Sequence, residues 1–391
     1  MGGALAVCCG VRAAPARADE PPIVAIGDVH GAYDSFVALL AAAGLVSPSL
    51  DWSGGDTRLV VLGDVLDRGA GSRRALELLI RLREQAARAG GDAQLLLGNH
   101  EVMNLIGDLA YVTPAEYAAY AADEEPADRD AAWQRFRAAN GASDERKLAA
   151  AFAELYPPGF FGQRAAFAPR GRLGAWLLQR PVLAVTGRTV FVHGGLPRAV
   201  VGKTADEINR AAGSALRDYL SAVDALRDAG VLAIETPFEE RAAIAATFLD
   251  SRGRVADEPL RRAAERVRDF ARSPLMSGEA VFWYRGTATC NPALERGRLE
   301  RELRVLNVDR VVIGHTPTAD GRVQTRFDGA VVRADTGMQA AYFRGRASAV
   351  VIRGDSVRAL YVDSGGEVAP EPQARTVGSG DAGLDDDALT E

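Results

Sequence analysis

Cysteine and histidine are both scarce in this chain, and the scarcity of cysteine already limits how the fold is held together. Of 391 residues, three are cysteine and four are histidine. Cys8 and Cys9 lie close together near the N-terminus, and Cys290 stands alone in the remainder of the sequence. A small domain held together by several disulfides is therefore excluded, and the fold must depend on an apolar core.

Long apolar runs and concentrated positive charge are missing as well. No segment approaches the stretch of about 20 apolar residues that a membrane-spanning helix needs. The formal net charge is −6, and the Lys and Arg residues are scattered rather than gathered on one stretch, which leaves no basic surface for nucleic acid. With 48% hydrophobic and 25% charged residues, the composition is that of a globular protein with one large core or two smaller ones.

The N-terminal segment has some features of a secretory signal peptide. An apolar stretch at residues 4–9 leads to Ala16-Arg17-Ala18, a small-residue pattern that typically precedes a cleavage site. The first basic residue is Arg12, so the positively charged start of an ordinary signal peptide is absent. We predict a signal peptide over residues 1–18 and a periplasmic or secreted protein. A cytoplasmic protein with an irregular leader is the alternative.

Short apolar runs alternate with helical patterns along much of the chain. The runs are rich in Val, Ile and Leu and end at Gly, Asp or His, as expected of buried strands. They lie at residues 23–26, 59–62, 95–97, 190–192, 311–313 and 331–333. Apolar residues at helical spacing follow at residues 33–43 and 73–88. This alternation is typical of a sheet whose faces are covered by helices.

Two long stretches interrupt the alternation, at about residues 104–180 and 203–272. Both are rich in Ala, Arg, Glu and Asp, and we predict helical insertions in a catalytic domain that covers residues 19–363. Each insertion follows a candidate site motif, so it is either a cap that selects the substrate or a solvated decoration. Residues 364–391 hold Gly, Pro and acidic residues with few apolar ones, and we predict a disordered acidic tail.

Five short motifs follow the apolar runs and contain all four histidines. Each places polar residues just past a predicted strand, where open α/β folds bind ligands, and flanking glycines let the backbone crowd around a small charged site. A single histidine there is more often a hydrogen-bonded core residue than a ligand, but four in the same kind of position indicate a shared site. The motifs are Gly27-Asp28-Val29-His30-Gly31, Gly63-Asp64-Val65-Leu66-Asp67-Arg68-Gly69, Gly98-Asn99-His100-Glu101, Val192-His193-Gly194-Gly195 and Gly314-His315-Thr316-Pro317.

In this order the motifs resemble the signatures of the metallophosphoesterases, and among them the phosphoprotein phosphatases of the Shewanella-like branch. The resemblance implies an α/β (α+β) fold of the calcineurin-like type. That fold is a four-layer sandwich in which two mixed β-sheets pack face to face, with flanking helices and helical insertions. Asp and His donors together suit manganese, iron or zinc better than calcium or a thiolate-binding metal.

The resemblance also implies two divalent metal ions as cofactors, manganese first, with iron or zinc as alternatives. Asp64 would bridge the two ions, and a hydroxide between them would be the nucleophile. Two such ions can clamp the attacking and leaving oxygens of a phosphoryl displacement. The implied ligands are Asp28, His30, Asp64, Asn99, His193 and His315.

The same resemblance assigns an acid and three phosphate-binding residues. His100 would be the general acid, with Asp67 holding its other ring nitrogen. Arg68, Asn99 and Arg285 would contact the phosphate, because a guanidinium matches phosphate oxygens and stays charged. Arg285 belongs to an aromatic-Arg-Gly segment similar to one of the Shewanella-like branch. Its alternative role is that of a surface arginine packed on an aromatic strand.

The implied activity is hydrolysis of a phosphomonoester, in a phosphorylated protein or a small molecule, with a preference for phosphotyrosine. Gly286-Thr287-Ala288 and Asp335-Thr336-Gly337 stand where eukaryotic serine/threonine enzymes have other residues, and we interpret Asp335 as part of a supporting turn rather than a ligand. A diadenosine tetraphosphate hydrolase with the same motifs is the main alternative. A metal-binding scaffold without turnover and a phosphodiesterase are both disfavoured by the intact Asp67-Arg68 pair.

Overall fold

A computed structural model describes residues 20–141, 144–251, 257–363 and 365–373. The predicted signal peptide, residues 1–18, lies outside the described residues. Within these ranges, no helix is both long enough and apolar enough to cross a lipid bilayer.

Two six-stranded sheets form the centre of the described structure. The first has the strand order β11-β10-β9-β1-β2-β3, and the second has the order β12-β7-β8-β6-β5-β4. The strands are β1 (Ile23–Ile26), β2 (Arg58–Val61), β3 (Asp92–Leu95), β4 (Leu183–Thr186), β5 (Thr189–Val192), β6 (Arg310–Ile313), β7 (Gln324–Arg326), β8 (Val331–Arg333), β9 (Ser348–Arg353), β10 (Ser356–Tyr361), β11 (Glu367–Val368) and β12 (Glu371–Pro372).

Helices cover the sheets and fill the two long insertions. They are α1 (Tyr33–Ala42), α2 (Ser72–Arg88), α3 (Asn99–Ile106), α4 (Pro114–Ala118), α5 (Pro126–Asn140), α6 (Glu145–Leu155), α7 (Phe160–Phe167), α8 (Arg172–Leu177), α9 (Ala205–Asp228), α10 (Phe238–Ser251), α11 (Glu258–Asp269), α12 (Gly286–Thr289), α13 (Pro292–Val305) and α14 (Ala340–Phe343).

The two sheets pack face to face through a shared apolar core. Successive side chains of a strand point to opposite faces, so Ala25 on β1 faces one way and Ile26 the other. Ala25 packs in one cluster with Phe191 of β5 and Val312 of β6, which belong to the second sheet. Ile26 packs in a separate cluster with apolar side chains of α1 and α2. The sandwich of two mixed sheets with flanking helices is thus confirmed.

Parallel strands bring the five motifs to one edge of the sandwich. In the first sheet, β1 pairs in parallel with β2, and β2 with β3. In the second sheet, β5 pairs in parallel with β6, and β6 with β8. The carboxyl ends of parallel strands lie at the same sheet edge, where ligands bind in folds of this kind, and the motif residues follow those ends directly.

The helical insertions have their own apolar contacts. In the first, an aromatic cluster joins Tyr117, Phe152 and Phe161 from α4, α6 and α7. In the second, α9, α10 and α11 pack against one another. The predicted start of the first insertion at residue 104 falls inside α3, which continues to Ile106 because it carries apolar residues into the core.

Several stretches differ from the sequence prediction, among them β3, which covers Asp92–Leu95 rather than residues 95–97. The sequence analysis did not predict the hairpin β9–β10, which extends the first sheet. The apolar run in β9 and the Gly354 turn that precedes β10 were the available signals of this hairpin. In the predicted disordered tail, β11 pairs with β10 and β12 pairs with β7, so that part of the prediction is wrong. Edge strands need few apolar residues, since main-chain hydrogen bonds hold them. The tail beyond residue 373 lies outside the described residues.

Candidate active site

The loops after β1 and β2 bind each other through their backbones. The amides of Val29 and His30 both donate to the carbonyl of Asp64, each at 2.9 Å, and the Gly31 amide donates to Val65 at 3.0 Å. Because these bonds join two motifs that are distant in the sequence, the side chains of the two loops are held in a fixed relation to each other.

Five residues of the predicted site have left-handed backbone conformations, which are uncommon for residues other than glycine. Such strain of about 1–3 kcal/mol per residue persists only where the surrounding structure enforces it, and it clusters at functional sites. These residues are His30 (φ 46°), Asp64 (φ 52°), Asp67 (φ 69°), Arg68 (φ 66°) and His315 (φ 65°).

Gly98 is required by the close approach of the second and third motifs. A Cβ atom at this position would lie 2.2 Å from Oδ1 of Asp64 and 2.7 Å from the Asp64 backbone nitrogen. The expected use of glycine to crowd backbone around the site holds here, because any side chain would push Asp64 out of place.

Glu101 organises the site, and the sequence analysis gave it no role. Its carboxylate accepts hydrogen bonds from the backbone amides of Asp64 at 2.7 Å, Val65 at 2.8 Å and Gly98 at 2.9 Å. Burial and the nearby Asp64 carboxylate raise the pKa of Glu101 to about 7. Its place beside His100 in the third motif was the available signal.

One group of potential metal ligands lies around His30. Its Nδ1 is 3.0 Å from the Leu66 carbonyl, and because a carbonyl only accepts, Nδ1 carries the proton. The other nitrogen, Nε2, lies 3.8 Å from Oδ2 of Asp28 and 3.7 Å from Oδ2 of Asp64. A histidine fixed by a backbone carbonyl in this way presents its free nitrogen to a metal.

A second group lies around His193, on the other side of Asp64. Its Nδ1 donates to the Leu62 carbonyl at 3.0 Å. Its Nε2 faces Oδ1 of Asn99 at 3.0 Å and Oδ2 of Asp64 at 3.1 Å. His315 completes the group, with ligand atoms of Asp64, His193 and His315 all within 4.8 Å of one another. The His315 Nε2 donates to the Trp283 carbonyl, which leaves Nδ1 for a metal.

The electrostatics of the two groups favour bound cations. Burial raises the pKa of Asp28 well above its usual value, and the Asp335 charge adds to this rise. Burial lowers the pKa of His30 and His315 well below the usual value, with neighbouring His100 and His193 contributing respectively. Burial also acts to lower the pKa of His193, but Asp64 and Asp28 outweigh it and the value is about 9. Burial thus keeps His30 and His315 neutral, as metal ligation requires, while the neighbouring carboxylates hold a proton on His193 that a divalent ion would displace.

His100 differs from the other three histidines in its anchor. Its Nδ1 lies 2.6 Å from Oδ2 of Asp67, so a carboxylate rather than a backbone carbonyl holds the ring. Its Nε2 is 3.3 Å from Nη2 of Arg68 and 3.9 Å from Oδ2 of Asp64. Burial acts to lower the pKa of His100, but Asp64 and Asp67 outweigh it and the pKa is raised. By distance alone His100 also groups with His30 and Asp64 as a potential ligand.

Both predicted arginines lie beside these groups. The Arg68 guanidinium is half-buried among aromatic rings, 4.8 Å from the ring centre of Tyr111, 4.6 Å from Tyr342 and 5.1 Å from Phe343. Its Nε is buried without a hydrogen-bond partner in the described part of the chain. Arg285 is exposed, and it donates to the carbonyl of His315 at 2.9 Å, so it lies next to the second group.

Asp335 is more fully buried than a residue of an ordinary surface turn. Its Oδ1 accepts a hydrogen bond from the Gly337 amide at 2.9 Å, as the predicted turn requires. Its Oδ2 is buried and has no partner among the described residues. Burial raises the pKa of Asp335 to about 6. The second sheet thus adds a carboxylate next to Asp28, and the prediction that Asp335 is not a ligand stays a prediction.

A profile described as Calcineurin-like phosphoesterase matches residues 21–228. The chain belongs to the calcineurin-like phosphoesterase family. This membership confirms the resemblance on which the sequence interpretation depends and makes the protein a metal-dependent phosphoesterase. The oxygen and imidazole donors around Asp64 fit the divalent ions that the family uses.

Two relatives and one solved structure show how the phosphoesterase compares with other proteins. An uncharacterized protein of Schizosaccharomyces pombe is 30% identical over 88% of this chain and 83% of the relative. Shewanella-like protein phosphatase 2 of Arabidopsis thaliana is 36% identical, over 46% of this chain and about half of the relative, 48%. A cold-active protein-tyrosine phosphatase of a psychrophilic Shewanella species has the same fold, with a TM-score of 0.58 at 22% identity over 90% of this chain and 81% of that one.

Proposed function

We propose that this phosphoesterase hydrolyses phosphomonoesters in proteins and prefers phosphotyrosine. The observation that carries the proposal is the His100–Asp67 pair beside Arg68, because it joins a proton donor to a phosphate-binding cation. The nucleophile and the charge neutralisation need a metal, but departure of a poor leaving group also needs a proton, which an imidazole held by Asp67 next to a phosphate-binding arginine could supply.

The metal ions would be held by the two groups that share Asp64. Two divalent ions in this position supply Lewis-acid activation of the phosphate and of the attacking water. Manganese is the expected ion, with iron or zinc as alternatives. Phosphate binding and protonation of the leaving group would fall to side chains of this chain. The proposed ligands are Asp28, His30, Asp64, Asn99, His193 and His315.

His100 would give its Nε2 proton to the leaving oxygen as the bond from that oxygen to phosphorus breaks. The hydrogen bond from Nδ1 to Asp67 fixes the ring and stabilises its protonated form, in line with the raised pKa of His100. Before substrate binds, Nε2 accepts a long hydrogen bond from Arg68. A phosphate that attracts Arg68 would free Nε2 for a proton, and its negative charge would favour the imidazolium.

Arg68 and Arg285 would bind phosphate oxygens from opposite sheets. Arg68 follows β2 and keeps a buried Nε without a partner in the described residues, so this donor is available to an anion. Arg285 is anchored on the second sheet by the carbonyl of His315. A guanidinium makes paired hydrogen bonds to phosphate oxygens and stays charged at any working pH. Asn99, between the two, would contact both metal and phosphate.

The rings around Arg68 support an aromatic leaving group. Tyr111 from the first insertion and Tyr342 and Phe343 from α14 all lie within about 5 Å of its guanidinium. Tyr342 is 39% exposed, so it lies at the outer edge of this group of aromatic rings. A phosphotyrosine ring bound next to these side chains would gain edge-to-face contacts of about 0.5–1.5 kcal/mol each, which phosphoserine cannot make.

The test is the initial rate of the Mn²⁺-loaded protein on a phosphotyrosine peptide, the matched phosphoserine peptide and diadenosine tetraphosphate. We expect the phosphotyrosine peptide to give the highest kcat/KM, and Tyr342→Ala to reduce that value more than the value for phosphoserine. Trp176→Ala, which removes another aromatic ring stacked on an arginine, Arg180, is the matched control. A higher rate on the dinucleotide than on either peptide would overturn the proposal in favour of a nucleotide hydrolase.

A further inference from the structure

Asp67 has a second hydrogen-bonded neighbour besides His100. Its Oδ1 accepts from Nδ2 of Asn104 at 2.8 Å, and the same Nδ2 is 3.0 Å from the carbonyl of His100. Oδ1 of Asn104 in turn accepts from Nε2 of Gln163 at 2.7 Å. All four side chains are at most 2% exposed, so water does not compete for these bonds.

The direction of each bond in this series is fixed. A carboxylate only accepts hydrogen bonds, so Asn104 must turn its amide nitrogen towards Asp67. Its carbonyl oxygen then faces Gln163, which must donate. Asp67 thus sets the orientation of the Asn104 amide, and the donor of Gln163 stabilises that orientation from the other side. In a buried site, reversing one bond would oppose two oxygens at a cost of about 1–3 kcal/mol.

Gln163 belongs to the first helical insertion and not to the sheet edge. It lies on α7, and the next residue, Arg164, donates to the backbone carbonyl of Asn104 at 2.9 Å. Two consecutive residues of α7 therefore hold the same residue of α3, one through its side chain and one through its backbone. This difference allows the two contacts to be tested separately.

We propose that Gln163 is a positioning residue for His100, acting through Asn104 and Asp67. The inference rests on the proposed role of His100 as general acid. It makes the first insertion part of the apparatus that orients the acid, so that loss of the Gln163 donor weakens proton transfer without touching metal or phosphate.

The kinetic test uses Gln163→Met, which keeps the length and apolar volume of the side chain and removes the donor. For the Mn²⁺-loaded enzyme we expect about a tenfold loss of kcat on a phosphoserine peptide, which is a fraction of the rate enhancement that a general acid contributes. On p-nitrophenyl phosphate we expect less than a twofold loss of kcat. The matched control is Gln179→Met, since Gln179 is exposed in the same insertion and its side chain donates to the backbone carbonyl of Ala175.

The double variant Gln163→Met with His100→Asn distinguishes positioning of His100 by Gln163 from a general loosening of the first insertion. If Gln163 acts through His100, the second substitution adds no further loss once the acid is gone. Arg164→Met is a structural comparison: it should lower the unfolding temperature and affect both substrates equally. Equal losses on both substrates for Gln163→Met, or losses that multiply in the double variant, would overturn the proposal.

A proton NMR measurement tests the contact even if the chain hydrolyses none of these substrates. The Nδ1 proton between His100 and Asp67 should give a far-downfield signal, assigned by its disappearance in His100→Asn. We expect Gln163→Met to move or broaden this signal and Gln179→Met to leave it in place. An unchanged signal in Gln163→Met overturns the positioning role. If the wild-type chain hydrolyses none of the substrates but the signal shifts in Gln163→Met, the proposed function is overturned and the contact between Gln163 and the His100–Asp67 pair is not.

Discussion

The edge of the sheets and the helical insertions contribute to the site in different ways. At the sheet edge, each proposed ligand lies a few residues past a strand, and the loops after β1 and β2 bind each other through their backbones. The insertions contribute no proposed metal ligand. They act through side chains that reach Arg68, as Tyr111 does, or Asn104, as Gln163 does. The proposed metal ligands are therefore local to the strands, while the orientation of His100, the proposed acid, would depend on contacts with distant segments.

Helix α3 is where the two regions meet. Its first residues, Asn99 and His100, face the site, and its last carbonyls accept from buried arginines. Arg164 of the first insertion binds Asn104, and Arg241 of the second binds Ile106. Cations near a helix C-terminus are favoured by the helix dipole, which helps to offset burial. Burial and the neighbouring Arg241 lower the pKa of Arg164 to about 9. Both insertions thus hold the helix that carries His100, the proposed acid.

The largest effect is expected at the shared ligand. Asp64→Asn should abolish metal loading, because Asp64 belongs to both ligand groups and the amide lacks the negative charge that holds a divalent ion. Metal content per chain after Mn²⁺ loading and desalting, measured by mass spectrometry, checks this. Asp56→Asn, at an exposed aspartate, is the control. Two ions per chain in Asp64→Asn would refute the bridging role.

A smaller and more selective loss is expected at the acid. His100→Asn should lower kcat by about 100-fold or more on a phosphoserine peptide, because a general acid contributes about 10²–10⁴-fold. On p-nitrophenyl phosphate the loss should be much smaller, since that leaving group departs without a proton. Initial rates on both substrates provide the comparison. Equal losses on both, or loss of metal from His100→Asn, would instead place His100 among the ligands.

Much of the sheet edge could be predicted from the sequence because its signals are local. An apolar run closed by Gly-Asp or Gly-Asn fixes both a strand and the residue that follows it. The strand β1 was predicted with its observed bounds, and α1 with one residue of difference. All ten predicted site residues lie at or beside the two ligand groups. Their proposed roles depend on the family resemblance and remain to be tested.

The contacts of the insertions could not be predicted, because they depend on packing between distant segments. Gln163 and Asn104 are 59 positions apart, and no pattern in either segment connects them. Tyr342 and Phe343 are likewise distant from Arg68 in the sequence and contact it only in the folded chain. Glu101 is the exception: it stands in a motif that was recognised, and its role was missed because it binds backbone amides rather than a metal.

The smallest effect on the site is expected from loosening the insertion. Phe152 packs in the aromatic cluster of the first insertion, and Phe152→Ala should cost about 3–5 kcal/mol of local stability, as for other buried aromatic residues. Because no proposed ligand lies in that cluster, metal content should stay at the wild-type level, while proteolysis within residues 114–167 should become faster. Metal analysis and limited proteolysis on the same sample measure both.

The matched substitution in the main core is Phe36→Ala, since Phe36 lies on α1, directly behind the first motif, and packs in the cluster beneath the first sheet. It should reduce metal loading together with stability, because the loop that carries Asp28 and His30 leads into α1. If Phe152→Ala lowered metal loading as much as Phe36→Ala, the insertion would support the ligands as well as the acid. The division between sheet edge and insertions would then not hold.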